Sequence, residues 1–208
     1  MLEKKGFLLV DSGATYMDGT TDITRTYPLG ELTEDERLFY TWTLQCHIDI
    51  AKAVWLDYCE CKMIDTIARE PLWRHLINYR CGTGHSVSFV GNVHEGPHAL
   101  NGRNTTLMRP GMVVTDEPGV YETDLVGIRI ENELVCVHKA DNQYGTFLGF
   151  EPLMFVPIAT SPILPGVLDK DEIAWLNDYH RQVFAKLAPH LNDEERSWLA
   201  EKCAAIGC

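Results

Sequence analysis

The sequence predicts an α+β fold, with helices packed on an antiparallel sheet. Three observations predict it. A short apolar strand near the start runs into a hairpin, two long helical segments follow, and three strand-like runs come only after those helices. Strands and helices do not alternate as the crossovers of a parallel sheet would require. The chain has 208 residues, 45% of them hydrophobic, enough for one domain with a sizeable core.

In chain order, residues 7–10 form an apolar strand that ends at Asp11. Asp18-Gly19 is a tight hairpin turn, and a Thr-rich strand over 20–26 returns with Asp22. Thr33 and Glu36 form a capping box that opens a helix reaching about residue 55. Its spacing turns Leu38, Phe39, Trp42, Cys46, Ile50 and Val54 toward the core. A second helix over 62–76 buries Met63, Ile64, Ile67 and Ala68, and Pro71 should kink or split it. Residues 81–97 are rich in Gly and His and too irregular for a helix. Residues 112–116, 127–138 and 149–158 read as strands of an antiparallel sheet. Asp169 with Glu172, and Asn192 with Glu195, cap two last helices. The first sets Ile173, Leu176, Tyr179, Val183 and Leu187 on one side. Residues 1–208 are thus read as one domain, with 160–208 its helical tail.

The 30 acidic and 18 basic residues leave a net charge of −12. That excludes nucleic acid and an anionic membrane as main partners. No run approaches the length of a membrane span. The first apolar run is too short for a signal peptide. Seven cysteines, with no CxxC pair, fit reduced thiols in the cytoplasm, and Cys59 and Cys61 alone are a weak metal signal.

The chemistry lies in charged residues set on strands. Asp11 and Asp22 sit on neighbouring strands of the hairpin. Glu117 ends the strand VVTDE just before a Pro-Gly turn, and Glu131 lies in GIRIENELV. His85 follows Gly82-Thr83-Gly84, where glycine lets the backbone come close to a site. Four carboxylates and one imidazole suit two divalent cations. Hard oxygen donors favour Mn²⁺, with Co²⁺, Fe²⁺ or Zn²⁺ also compatible. Water bridging two such cations becomes hydroxide near neutral pH and can attack a carbonyl.

The stretches DSGATYMDGTTDITRT, GTGHSVSFVGNVHEGP, PGMVVTDEPGVYE and GIRIENELV occur together and in order. In them, and in the tail GFEPLMFVPI, the chain resembles the catalytic domain of the aminopeptidase P (Xaa-Pro aminopeptidase) family, whose metallopeptidase fold is called pita-bread, a curved antiparallel sheet flanked by helices. The resemblance implies that Asp11 holds one metal, that His85 and Glu117 hold the other, and that Asp22 and Glu131 bridge both. It implies that His94 contacts substrate and assists proton transfer, and that Arg129 orients Asp11. The nine positions from His85 to His94 suit aminopeptidase P better than prolidase. The implied substrates are peptides with proline second, and the implied assembly is a homodimer, to which Trp55, Trp73 and Trp175 are candidate contributors.

The chain departs from the family at Cys81, where relatives carry a substrate-contacting histidine, and at Ser86 and Ser88, which replace glycines. It also starts late: the family has a segment before the first metal aspartate and a separate domain before that. The expectation is therefore a metallo-aminopeptidase domain that alone has weak activity or none. A prolidase-type dipeptidase and a non-catalytic binding module are the competing readings.

Overall fold

The computed structural model describes residues 2–207. β1 (Phe7–Tyr16) and β2 (Gly19–Pro28) pair antiparallel as a two-stranded ribbon. β1 does not stop at Asp11 but runs on to Tyr16. Tyr16 faces Gly19, so the two-residue turn is Met17-Asp18, one position earlier than expected.

The Thr33 capping box opens α1 (Glu34–Lys52) as the sequence requires. The helix ends short of residue 55 because Ala53 turns to extended backbone. Val54–Leu56 becomes β3, with Trp55 opposite Leu148. The expected inward face also differs. From Tyr40 to Ala51 α1 is buried or half-buried on every side, whereas Val54 is exposed. α1 is enclosed by two apolar clusters. The first joins Tyr40, Leu44 and Ile48 to Ile128, Ile130, Leu176 and Val183. The second joins Ile50 to Ile64, Leu100, Val114, Leu134 and Leu148.

α2 (Cys61–Trp73) contains Pro71 without splitting, and ends two residues beyond it. Cys61, Ile64, Ala68 and Leu72 face inward and Met63 is exposed, the reverse of its expected place. The Gly- and His-rich stretch is not wholly irregular. It contains β4 (Gly84–Ser86) and the start of β5 (Glu95–Leu100). β6 (Val113–Asp116) follows, then a second small pair, β7 (Gly119–Glu122) with β8 (Val126–Arg129). The strand expected over 127–138 is therefore two. β8 ends at Arg129 and β9 (Asn132–Asn142) begins after Glu131, whose N–H donates to the Thr24 carbonyl of β2 (3.1 Å). β10 (Gly145–Pro152) returns beside β9, earlier than expected. The six-stranded sheet has the order β3-β10-β9-β6-β4-β5. α3 (Lys170–Leu187) and α4 (Asp193–Lys202) carry both expected capping boxes.

β2 is fastened to the rest by Arg25, which is 3% exposed. Its guanidinium donates to the carbonyls of Thr24, Glu131, Val156 and Pro157, to Asn132 Oδ1 and to the Tyr179 hydroxyl. All six acceptors are neutral, and they come from four separate parts of the chain.

Candidate metal centre

The hairpin register places Asp11 opposite Thr24 and Gly13 opposite Asp22. Opposed residues share a face and alternate residues repeat it. Asp11, Asp22 and Thr24 therefore point the same way, and Arg25 points the other. Gly13 allows this pairing, since a Cβ there would meet the Thr21 carbonyl oxygen at 2.4 Å.

The sheet supplies the facing donors. Asp116 pairs with Asn132 at the end of the β6–β9 ladder, so Glu117 and Glu131 leave the two strands at one level. His85 lies on β4. A Cβ on Gly84 would sit 1.8 Å from the Thr115 carbonyl oxygen, so only glycine lets β4 approach β6 this closely. Thr115 Oγ1 accepts from the His85 N–H and donates to Glu117 Oε1, both at 2.9 Å. His85 Nδ1 lies 3.1 Å from the Ser86 carbonyl, to which it donates. That leaves Nε2 directed at Glu117 Oε1 (3.1 Å) and Asp22 Oδ2 (3.4 Å). Such a hydrogen bond through one ring nitrogen is how a ligating imidazole is normally oriented.

Asp22, His85 and Glu131 each offer a ligand atom within 4.8 Å of the others. Glu131 is 1% exposed. Its Oε2 accepts from Thr24 Oγ1 (2.6 Å), while its Oε1 has no partner. Asp11 is half-exposed and bonds Arg129 Nη2 at 2.5 Å. The same guanidinium donates to the Tyr121 hydroxyl (2.7 Å) and to Thr24 Oγ1 (2.9 Å), and Nε stands 3.8 Å from Glu117. The His94 ring is exposed and centred 3.8 Å from that of His85. The Cys81 thiol points to the Gly119 carbonyl, 3.4 Å away.

The charges explain the titration of these groups. Burial, reinforced by the Glu117 and Asp22 charges, pushes the Glu131 carboxyl up to about 8 against the Thr24 hydrogen bond. Burial opposes charge on His85, but its bonds to Asp22 and Glu117 outweigh that and raise it to about 10. Burial raises the Cys81 thiol. A crowd of acids around one imidazole, with an unpartnered buried oxygen on Glu131, fits divalent cations. The donors are hard, close together and short of positive charge.

Three supports were not read from the sequence. Thr24 joins the hairpin to Glu131 and Arg129. Asp65, which looks like half of a surface pair with Arg69, is 1% exposed. It bonds Arg69 (2.8 Å) and Thr83 (2.5 Å), while Arg69 also holds the Tyr79 and Cys81 carbonyls. This fixes the loop leading to His85. Behind Glu117, the buried Asp116 carboxylate faces His47 Nδ1 at 3.0 Å. An Asp four positions before an Arg on a helix face rich in Ile, Ala and Leu was the available signal.

Residues 1–138 match the metallopeptidase family M24, and residues 146–206 match the C-terminal region of peptidase M24. The chain belongs to metallopeptidase family M24. Among M24 relatives it is 41% identical to aminopeptidase P1 of Lotus japonicus over 99% of this chain and 32% of that protein. A solved X-prolyl aminopeptidase from Caenorhabditis elegans, described as cytosolic with a di-nuclear active site, superposes with a TM-score of 0.91. It is 39% identical over 96% of this chain and 34% of that one. Prolidase from Pyrococcus furiosus superposes at 0.61, with 30% identity over 72% of this chain and 41% of that one. The fold is the pita-bread fold of M24, and the chain spans about a third of the length of the aminopeptidase P relatives.

Proposed function

We propose that this chain is the catalytic part of a dinuclear metallo-aminopeptidase that hydrolyses the bond between an N-terminal residue and a following proline. One observation carries the reading. Asp22, His85 and Glu131 converge within 4.8 Å, in a chain 39% identical to an X-prolyl aminopeptidase. Residues 1–208 form one metallopeptidase domain in this reading, with 160–208 as its tail. Asp11, Asp22, His85, Glu117 and Glu131 are the residues that would hold the two cations. The oxygen-rich set favours Mn²⁺ over Co²⁺, Zn²⁺ or Fe²⁺. Divalent cations bound there supply Lewis acidity toward a carbonyl and a nucleophilic water at neutral pH.

The chain's own residues do the rest. Glu117 or Glu131 takes the proton from the nucleophile and passes it to the leaving nitrogen. His94, its ring tilted against that of His85, donates a hydrogen bond to the carbonyl oxygen as it gains charge. Arg129 holds Asp11 in place. Proline has no N–H to offer, so its subsite must accept a tertiary amide. The Cys81 thiol, turned to the Gly119 carbonyl, gives that subsite no imidazole. Together with the half-exposed Asp11, this leads to the expectation of weak turnover by the 208-residue chain.

A prolidase-type activity on Xaa-Pro dipeptides uses the same chemistry, but likeness over 96% of the chain against 72% favours the aminopeptidase. The complete donor set disfavours a non-catalytic module. A cytoplasmic homodimer completes the reading. Trp73 is exposed enough to contribute to the interface, whereas Trp55 is core, packed on Phe150. The test is elemental analysis of the purified chain together with turnover of an Xaa-Pro-Xaa tripeptide. Two metals per chain and cleavage lost in Glu117→Gln are expected. Absence of metal uptake by well-folded protein defeats the reading.

A further inference from the structure

The loop that leads into His85 carries glycine on both sides of Thr83, at Gly82 and Gly84. Glycine leaves the backbone free to move, so whatever fixes this loop must come from outside it. Thr83 is nevertheless 0% exposed and bonded at every polar atom. Its N–H donates to the Leu100 carbonyl on β5 (2.8 Å), and its carbonyl accepts the Glu117 N–H (2.7 Å). Its hydroxyl donates to Asp65 Oδ1 and lies 2.5 Å from the Tyr79 hydroxyl. With the Thr83 proton given to the carboxylate, Tyr79 is the donor to Thr83. Thr83 thus stands two residues before His85 and carries the backbone of Glu117.

α2 supplies the outside support. Arg69 grips Asp65 with two bonds, Nε to Oδ2 at 2.8 Å and Nη2 to Oδ1 at 3.1 Å. The rest of its guanidinium turns to the loop. Nη1 donates to the Tyr79 carbonyl and Nη2 to the Cys81 carbonyl, both at 2.9 Å, and Nη1 reaches Asn78 Oδ1 at 3.2 Å. Its Cζ lies 4.1 Å from the centre of the Tyr79 ring. One side chain therefore holds residues 78, 79 and 81, and its partner Asp65 holds residue 83. A buried ion pair is a weak source of stability, because apolar side chains of like size often serve as well or better. The face of α2 around this pair is apolar, with Cys61, Ile64, Ala68 and Leu72 all buried. An apolar pair in its place could not fix two loop carbonyls and the Thr83 hydroxyl at once. That difference marks the loop as what the pair serves.

We propose that Asp65 and Arg69 are positioning residues of the metal centre. Through Thr83 they set His85 and Glu117 against each other, with Nε2 and Oε1 3.1 Å apart. Both act through the loop and not on a ligand atom. Thr115 joins the same two residues from the other side, through its hydroxyl. The inference rests on the reading of His85 and Glu117 as metal ligands, but its first readout needs no metal.

That readout is amide hydrogen exchange of the metal-free chain, followed by NMR. Arg69→Lys keeps a charge beside Asp65 but has no fork to reach the carbonyls. It should speed exchange at the Glu117 amide about ten-fold or more, while amides of the β9–β10 ladder stay within about two-fold. Its Mn²⁺ affinity, by calorimetry, should fall about ten-fold. Leu72→Ala controls for plain loss of packing, since it opens a cavity on the same helix. It should leave Mn²⁺ affinity within about two-fold. Thr83→Val removes the link and leaves the ion pair whole. It should reproduce the faster Glu117 exchange, and it keeps the test decisive if Arg69→Lys does not fold. Unchanged Glu117 exchange in either folded variant would overturn the proposal. So would equal losses of Mn²⁺ affinity in Leu72→Ala and Arg69→Lys, which would show a structural role only. Failure of the unmodified chain to take up Mn²⁺ would overturn the metal reading and this inference with it. Normal uptake there, with affinity unchanged in Arg69→Lys, would overturn this inference alone.

Discussion

The hairpin β1–β2 and the strand pair β6–β9 each carry two carboxylates of the candidate centre, but they are held in opposite ways. Every residue of β1 from Val10 to Tyr16 is exposed, and the ribbon pairs with no other strand among the described residues. β6 and β9 lie inside a six-stranded sheet, with Val114 and Leu134 at 0% exposure. Packing holds the sheet's donors. The hairpin's donors hang on polar bonds concentrated in β2, above all those of Arg25. Half of the centre is therefore tolerant of small packing errors but vulnerable to the loss of one hydrogen-bonding group.

The largest test of that contrast is Arg25→Met. Several buried carbonyls and Asn132 Oδ1 would lose their donor together, at a cost of about 3–5 kcal/mol in urea unfolding. Leu134→Ala, the matching cut in the sheet, should cost about 2–5 kcal/mol by cavity formation. If Arg25→Met costs below about 1 kcal/mol, packing rather than Arg25 holds the hairpin. Metal affinity sharpens the comparison within the hairpin. Asp22→Asn, next to His85 and Glu131, should weaken Mn²⁺ binding about 100-fold or more. Asp11→Asn, at the exposed end, should weaken it about ten-fold. Calorimetric titration separates the two, and equal losses would show that the exposed end grips as firmly.

Thr24→Val tests the join between the halves. It removes the hydroxyl that donates to Glu131 and accepts from Arg129, for about 1–2 kcal/mol. The smallest effect is one of pH, expected only without metal. Glu131 is raised to about 8, so its contribution is fully present below the unfolded value near 4.5 and is lost as pH rises through 8. His85, raised from 6.5 to about 10, contributes below 6.5 and loses that as pH rises through 10. Both act in one direction, so the metal-free chain should lose stability from pH 5 to 9. Mn²⁺ should remove that slope, since it supplies the missing positive charge. Urea unfolding across that range, with and without Mn²⁺, reads the difference.

What the sequence made legible was local. Thr33 with Glu36, Asp169 with Glu172 and Asn192 with Glu195 each close a capping box within four residues, and all three helices start there. The hairpin was legible because Asp18-Gly19 signals a turn between two strands, although the turn itself falls at Met17-Asp18. The convergence of Asp22, His85 and Glu131, with Glu117 beside His85, was legible as a pattern of motifs, although no single residue announced it. What was hidden depends on distant chain. GIRIENELV alternates like one strand, and only the bond from Glu131 N–H to the Thr24 carbonyl breaks it into two. The β9–β10 turn over 141–145 was missed despite its Asn and Gly. The burial of Asp65 and Arg69 was signalled only by their place on the apolar face of α2, a signal easily read as an ordinary surface pair. Val54 has an apolar side chain at helical spacing, yet the sheet captures its backbone as an edge strand.

The reach of Arg25 also fixes the order in which the molecule can assemble. Its partners on Glu131 and Tyr179 lie 106 and 154 positions along the chain. Closing loops of that length is entropically expensive, while the hairpin and α1 need only neighbours. Asp11 and Asp22 are thus in register long before the other donors arrive, and the centre comes into being as one of the last acts of folding. A cation that waits for the whole set has little to hold in the early, half-formed chain. It is expected to slow the departure from the native state rather than to hasten arrival there.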